Sequence, residues 1–261
     1  MSFNYKRIAD SFSLAAETYD EAAVLQKQVG EQLLSILNNI SISPEVIIDL
    51  GSGTGKWSQK LALFFPNSTV FSLDFAYKML QYANQNYPAH NINVLCGDAH
   101  VLPFQNTCCD LIFSNLMFQW SSNYHTLFQE INRILKPNGL IIFSTLGPRT
   151  LIELQHCWEK VDRLPYMLSF ISKNALIMKI KQEKLSIVSF KQKIHFRFFS
   201  KAIDLMKELK KIGAHNLERN RSPGLMTKNK LQRILDTYES FRNSKGLFPA
   251  TYEVYLVIAK K

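Results

Sequence analysis

The sequence predicts an α/β fold, a mainly parallel sheet with helices on both faces. Three observations predict it. Short β-branched runs alternate with stretches of helical periodicity over residues 46–145, the alternation of strand and crossover helix that builds parallel sheets. A glycine-rich turn, Gly51-Ser52-Gly53-Thr54-Gly55, follows the first of these runs and opens a helical pattern. The notable polar motifs all follow the end of a strand, and in such sheets ligands bind beyond the carboxyl ends of the strands, where strand order reverses.

Residues 14–38 read as one helix, because Ala15, Ala22, Val24, Leu25, Val29, Leu33, Leu34 and Leu37 recur at helical spacing. A strand follows at 46–50, then a helix over 56–65 stopped before Pro66. The strand at 69–73 ends at Asp74 and leads into a helix through Met79 and Leu80 to about residue 86. Strands are expected at 93–96 and 110–114, a helix at 124–135 ended by Lys136-Pro137-Asn138-Gly139, and a strand at 140–145. After Gly147-Pro148 the pattern changes, and 149–183 reads as two helices rather than a prompt return to the sheet. Residues 185–198 alternate as a strand, and 201–212 form a helix ended by Gly213. A helix over 227–240 has Thr227 as its cap, and a closing strand at 251–259 is expected antiparallel beside 185–198.

Composition bounds the class. A 261-residue chain, 46% apolar and 20% charged, is globular and has a core that needs no staples. Cys96, Cys108, Cys109 and Cys157 form no C-x-x-C pair. They read as reduced thiols of a cytoplasmic protein and not as a metal site. Residues 1–10 lack the apolar core of a signal peptide, and no apolar run is long enough to span a bilayer. The net charge of +10 points to a solvated basic surface or to an acidic partner. Lys179, Lys181, Lys184, Lys191, Lys193, Lys201, Lys207, Lys210 and Lys211 are not interleaved with the aromatic platform of a nucleic-acid binder. An acidic protein is the expected partner, with neither nucleic acid nor membrane.

The glycine turn fits neither phosphate-binding pattern. G-x-G-x-x-G would place its third glycine at Lys56, and G-x-x-x-x-G-K-[ST] would place glycine at Leu50 and a hydroxyl at Trp57. What remains, Asp49-x-Gly51-x-Gly53-x-Gly55, resembles the first motif of class I S-adenosylmethionine methyltransferases. That resemblance implies a Rossmann-like, seven-stranded sheet and a ligand without phosphate. Gly51 and Gly53 would let the amino-acid part of the cofactor approach bare backbone, and Gly55 would let helix and strand pack closely. Asp49 would orient the turn or meet the ammonium through water. Asp74, with Phe75 beside it, would accept both ribose hydroxyls or cap the next helix. Met79 would face adenine or simply pack in the core. Asp98 would accept the adenine amino hydrogens or close a turn, with Ala99 leaving room for the ring. In Asn115-Leu116-Met117-Phe118-Gln119-Trp120 the Asn-Pro-Pro-aromatic signature of amino-nitrogen methylases is absent. Phe118 and Trp120 there wall an apolar pocket or pack under the following helix.

The tail carries a narrower resemblance. Leu209-Lys210-Lys211-Ile212-Gly213-Ala214-His215-Asn216, Pro223-Gly224-Leu225 and Pro249-Ala250-Thr251-Tyr252-Glu253-Val254-Tyr255 are similar to the malonyl-acyl-carrier-protein O-methyltransferases of biotin synthesis. Ala9, Phe12, Tyr19-Asp20, Leu25-Gln26, Asn115-Leu116, Gln119-Trp120 and Gly147-Pro148-x-Thr150-Leu151-x-Glu153-Leu154 are similar too. The chain departs from that family at Arg149, where an acid is usual, and over 165–200.

The resemblance implies a single domain over 1–261: an N-terminal helix (about 14–38), a cofactor-binding core (about 45–147), a lid-like insertion (about 148–183) and a C-terminal part (184–261). It adds Tyr19, Gln26, Asn115, Leu116 and Gln119 to the expected cofactor contacts. It implies methyl transfer from S-adenosylmethionine, leaving S-adenosylhomocysteine, to the free carboxylate of malonyl-acyl carrier protein or malonyl-coenzyme A. A carboxylate with pKa of about 4 is ionised at neutral pH and needs no general base. Arg149, His215, Asn216, Tyr252 and Tyr19 are the candidates for orienting it. Arg149 has an alternative partner in Glu153, His215 in a turn, and Tyr252 in the sheet. A protein-arginine hydroxylase that shares the fold and a similar Pro-Ala-Thr-Tyr tail, a quinone-type methyltransferase and a non-catalytic cofactor-binding protein are the competing readings.

Overall fold

The computed structural model describes residues 5–162, 170–214 and 227–261. Where one helix is expected over 14–38 there are two, α1 (Tyr5–Ala22) and α2 (Val24–Leu37), parted at Ala23 with φ −77° and ψ 51°. Neither glycine nor proline breaks the chain there. Ala22 and Ala23 are buried against Ile212, so α1 turns aside while α2 sets Leu25, Val29, Leu33 and Leu37 into the core.

The alternation then runs as the periodicity predicts: β1 (Val46–Leu50), α3 (Lys56–Phe64), β2 (Thr69–Asp74), α4 (Tyr77–Asn86), β3 (Ile92–Cys96), β4 (Cys109–Ser114) and α5 (Tyr124–Ile134). The next strand, β5 (Leu135–Leu146), starts earlier than expected. Lys136-Pro137-Asn138-Gly139 does end α5. It is then drawn into the sheet, with Asn138 at a left-handed φ of 68° and its amide donating 3.2 Å to the Lys261 carbonyl. Next come α6 (Ile152–Asp162), α7 (Lys173–Gln182), β6 (Ser186–Phe199), α8 (Ala202–Lys211), α9 (Lys228–Tyr238) and β7 (Phe248–Lys260). Thr227 caps α9, its hydroxyl accepting 3.2 Å from the Lys230 amide. Both helices of the stretch read as a lid bury side chains in the core: Leu154, Cys157 and Trp158 of α6, and Leu176 and Ile180 of α7.

The sheet order is β3-β2-β1-β4-β5-β7-β6. The strands are parallel from β3 to β5, and β7 runs antiparallel to both of its neighbours. This is the class I methyltransferase arrangement that the glycine motif implies, and strand order reverses between β1 and β4. One face packs on α2, α3, α6, α8 and α9, the other on α5 and α7. Leu146 at the end of β5 pairs with Val254. Residues 248–253 of β7 and 194–199 of β6 therefore continue past the sheet's carboxyl edge as a two-stranded overhang. Among the described residues no helix is long and apolar enough to cross a membrane, and the cysteines are free.

Candidate active site at the carboxyl edge of the sheet

Gly51, Gly53 and Gly55 all take left-handed φ values, 74°, 56° and 82°, conformations that disfavour any side chain. Their surroundings differ. A methyl group on Gly53 would meet no described atom within 4 Å, so the turn is open there. One on Gly51 would lie 2.3 Å from Met117 Cγ, so Met117 roofs the turn from the loop after β4. One on Gly55 would lie 2.6 Å from Ala83 Cβ. The closeness that Gly55 permits is thus between the start of α3 and α4, not between helix and strand as expected. Ser52 Oγ is buried in the turn with no hydrogen-bond partner among the described residues.

Asp49 is buried at the end of β1 and accepts 2.6 Å from Ser58 Oγ, which also reaches Ser72 Oγ at 2.9 Å. Burial, joined by the Asp74 charge and opposed by Ser58, pushes its carboxyl up to about 7. Asp74 accepts 2.9 Å from the Gly53 amide and 2.8 Å from the Ala76 amide, tying the glycine turn to the start of α4. Burial raises its pKa against those amides. Asp20 of α1 accepts from Thr54 Oγ1 at 2.9 Å and from Tyr87 Oη at 2.6 Å. Tyr19, next to it, is raised by burial and then by the charges of Asp74 and Asp20. Asp74 and Asp20 therefore bond the turn directly, while Asp49 bonds Ser58 of α3. Met79 packs with Phe12, Tyr19 and Tyr82 between α1 and α4 and is 1% exposed. Its side chain is buried in that cluster, as the core-packing alternative has it.

On the far side, Phe75, Asp98, Ala99, Met117 and Trp120 share with Tyr5 a cavity of ≈ 260 Å³. Asp98 Oδ1 is held by the His100 amide at 2.9 Å and by Nδ1 of its ring at 2.7 Å, and His100 Nε2 lies 2.8 Å from Ser121 Oγ. The His100 hydrogen bond is the main reason that the Asp98 pKa falls. Trp120 walls this cavity, edge-on to Phe12 of α1 at 5.2 Å. Phe118 instead stacks on Phe143 at 4.2 Å in the core.

The Asn115 amide is spent on structure. Nδ2 donates 2.9 Å to the Gln26 carbonyl, and Oδ1 accepts 2.9 Å from Ser144 Oγ. Ser144 Oγ in turn accepts from the amide of Leu116, a buried residue at a φ of 51°. Gln119 bonds the Leu116 carbonyl and Thr145 Oγ1. These side chains shape the loop after β4 and join it to α2.

The candidates for holding a substrate separate. His215 and Asn216 lie outside the described residues. Arg149 is exposed, and its expected partner Glu153 is taken elsewhere. Glu153 accepts from the Thr251 amide at 3.0 Å and from the Thr251 hydroxyl. The Thr150 hydroxyl bonds the Glu253 amide and carbonyl, and Glu253 Oε2 accepts 2.9 Å from the Arg149 amide. A methyl on Gly147 would lie 2.6 Å from Glu253 Oε2 and from Tyr255. Gly147-Pro148-x-Thr150-Leu151-x-Glu153 and Ala250-Thr251-Tyr252-Glu253 are thus two halves of one clasp. Tyr252 is buried on the overhang, 5% exposed, and burial raises its pKa first of all.

Sequence reasoning gave no role to Ser52, Asp20, Ser58, His100 or Met117. Ser72, a hydroxyl between the apolar residues Phe71 and Leu73 of β2, was the signal for the network beneath Asp49. His100, two residues after an aspartate at a strand end, was the signal for the Asp98 clamp.

A methyltransferase domain model matches residues 48–143. The chain is 40% identical over 256 residues to the biotin biosynthesis bifunctional protein BioHC of Cellvibrio japonicus, covering 98% of this chain and 50% of that protein. It therefore spans about half the length of such bifunctional relatives. It is 38% identical over 258 residues to malonyl-[acyl-carrier protein] O-methyltransferase of Hahella chejuensis, covering 95% of this chain and 88% of that one. A protein of known crystal structure from Bacillus halodurans shares the fold, with a TM-score of 0.64 at 14% identity over 88% of this chain and 99% of that one.

Proposed function

The chain belongs to the malonyl-[acyl-carrier protein] O-methyltransferase family, and on that premise we propose that it methylates the free carboxylate of a malonyl thioester on acyl carrier protein, the step that starts pimeloyl chain synthesis for biotin. The observation that carries the reading is the acidic glycine turn. Asp74 and Asp20 bond the turn at Gly53 and Thr54, beside open backbone at Gly53 and a Ser52 hydroxyl with no partner among the described residues. Such a setting repels phosphate and suits a ligand carrying a sulfonium and an ammonium. S-adenosylmethionine, when bound, supplies a methyl group made electrophilic by its positively charged sulfur. Gly51, Gly53 and Ser52 would hold its amino-acid end, Asp74 its ribose, and Asp98 with Phe75, Ala99 and Met117 its base.

The rest of the site has a limited task. The acceptor carboxylate is already ionised at neutral pH, with a pKa of roughly 4. No residue has to remove a proton, so the protein contributes alignment and exclusion of water. The covering elements suit that task. α1 lies over the crevice, with Tyr5 lining the cavity and Phe12 and Tyr19 packed beside α4. The overhang of β6 and β7 extends beyond the same carboxyl edge of the sheet.

Intact-protein mass spectrometry of malonyl-acyl carrier protein, after incubation with this protein and S-adenosylmethionine, tests the proposal. The expected result is a gain of one methyl mass on the malonyl carrier and none on acetyl-carrier protein. Methylation of malonyl-coenzyme A alone would move recognition from the carrier protein to the thioester. No gain on any malonyl thioester, with cofactor binding shown by calorimetry, would overturn carboxyl methylation in favour of the hydroxylase or non-catalytic reading.

A further inference from the structure

Two buried nitrogens on the overhang have no hydrogen-bond partner among the described residues, His195 Nε2 and Arg197 Nε. An unpaired buried donor is costly, about 1–3 kcal/mol and more when charged, so such a pair in one place points to a ligand or to ordered water. The two residues are two apart on β6 and share a face. His195 stands directly opposite Tyr252, and Arg197 opposite Ala250. Tyr252, Val254 and Leu256 lie in the same core cluster as Leu25 and Val29 of α2 and Leu205 of α8. This face of the overhang therefore looks toward α2 and α8.

Both helices lead from there to the crevice. On α8, Glu208 accepts 2.9 Å from Arg197 Nη2, and the next residue, Leu209, packs with Tyr19, which feels the Asp74 charge. On α2, Gln32 accepts 3.0 Å from Lys193 Nζ, and further back the Gln26 carbonyl holds Asn115 at the end of β4. Glu208 fixes the guanidinium plane through one nitrogen and leaves Nε–H uncommitted. Phe199, 5.6 Å from the guanidinium, flanks it. Burial and the Lys193 charge hold the His195 imidazole below its usual range, so at neutral pH it offers a neutral ring nitrogen beside the fixed cation.

A guanidinium N–H and, in the Nε2–H tautomer, an imidazole N–H on one face form a carboxylate receptor. We infer that Arg197 and His195, with Tyr252 beside them, form the subsite that receives the acceptor's carboxylate and turns it toward the cofactor crevice. The inference rests on the proposed carboxyl methylation and adds two residues that no sequence motif marked.

The test reads binding as well as turnover. Malonyl-pantetheine is titrated into the full chain saturated with S-adenosylhomocysteine, with the His195 ring followed by nitrogen-15 NMR and heat by calorimetry. The wild type should shift the His195 signal on binding. Arg197→Gln should abolish that shift and raise KM for the malonyl carrier about tenfold or more, while S-adenosylmethionine affinity holds. Arg197→Lys, which keeps the charge and the fold, should give an intermediate KM. Glu208→Gln breaks the same ion pair but spares the guanidinium. A purely structural role predicts equal KM effects in Glu208→Gln and Arg197→Gln; the subsite predicts a much smaller effect in Glu208→Gln. Equal effects, or no change of KM or of the His195 signal in either Arg197 variant, would overturn the inference. If the wild type fails to methylate malonyl thioesters, carboxyl methylation falls, and the His195 titration still decides whether this face binds a carboxylate.

Discussion

Asp49 shows how one residue is fixed in type by its place. It ends a buried strand and faces Ser58 and Ser72, and burial holds its carboxyl near 7. An unfolded aspartate titrates near pKa 3.9. The folded state therefore keeps a proton that the unfolded chain has released between about pH 4 and 7. The advantage is full below the unfolded value and is lost as pH rises through the folded one. Thermal midpoints of the cofactor-free protein should thus fall from pH 5 to pH 7.5 by more than those of Asp49→Asn, which carries no charge to desolvate. Parallel pH profiles for the two proteins would show that Asp49 is ionised throughout. Burial raises the Asp74 pKa as well, but there backbone amides of Gly53 and Ala76 oppose the shift.

At the scale of elements, two stretches that look like unrelated motifs form one joint. Thr150, Leu151 and Glu153, at the end of β5 and the start of α6, bond to Thr251 and Glu253 of β7. The tail motif is therefore explained by architecture: the Thr251 amide and hydroxyl both satisfy the buried Glu153 carboxylate. Thr251→Val should remove one of those bonds at nearly constant volume and lower stability by about 1–3 kcal/mol, read as a drop in the denaturant midpoint with an unchanged slope. S-adenosylmethionine affinity should hold, because the clasp lies on the overhang side of the sheet. A loss of cofactor binding without a loss of stability would show that Thr251 acts in the site and not in the joint. The break between α1 and α2 belongs to this scale too. It has no local signal, since Ala22-Ala23-Val24 continues a helical pattern. It arises because α1 must reach α4 and α8 while α2 stays on the sheet.

For the whole molecule the dominant feature is charge. The site is acidic, yet the chain carries a net +10. Among the described residues Lys191, Lys193, Lys201, Lys207, Lys210 and Lys211 are exposed on or beside β6 and α8, the elements that hold Arg197 and Glu208. On the proposed function this basic surface meets an acidic carrier protein, and screening should weaken that contact. KM for malonyl-acyl carrier protein is expected to rise several-fold between about 0.05 M and 0.5 M salt, while KM for the smaller malonyl-pantetheine changes little. Equal salt dependence of the two would remove the basic surface from carrier recognition.

The sequence by itself determined the sheet, the glycine turn and the acids at the strand ends, because strand alternation, left-handed turns and β-to-α transitions are local demands on a few neighbouring residues. Asp49, Asp74 and Asp98 stand at the crevice where those demands put them. The roles of the contributing side chains were decided only by tertiary structure. Met79 met α1 and became core, Asn115 and Gln119 were drawn into the loop after β4, and Tyr252 was buried where the paired strands outrun β5. Arg197 and His195 carry no motif, and their unpaired nitrogens exist only because β6 pairs with β7 beyond the edge of the sheet. Hydrogen-bond partners separated by a hundred residues leave no period in the sequence. Which polar atoms remain free for a ligand is settled by which ones the fold has already used.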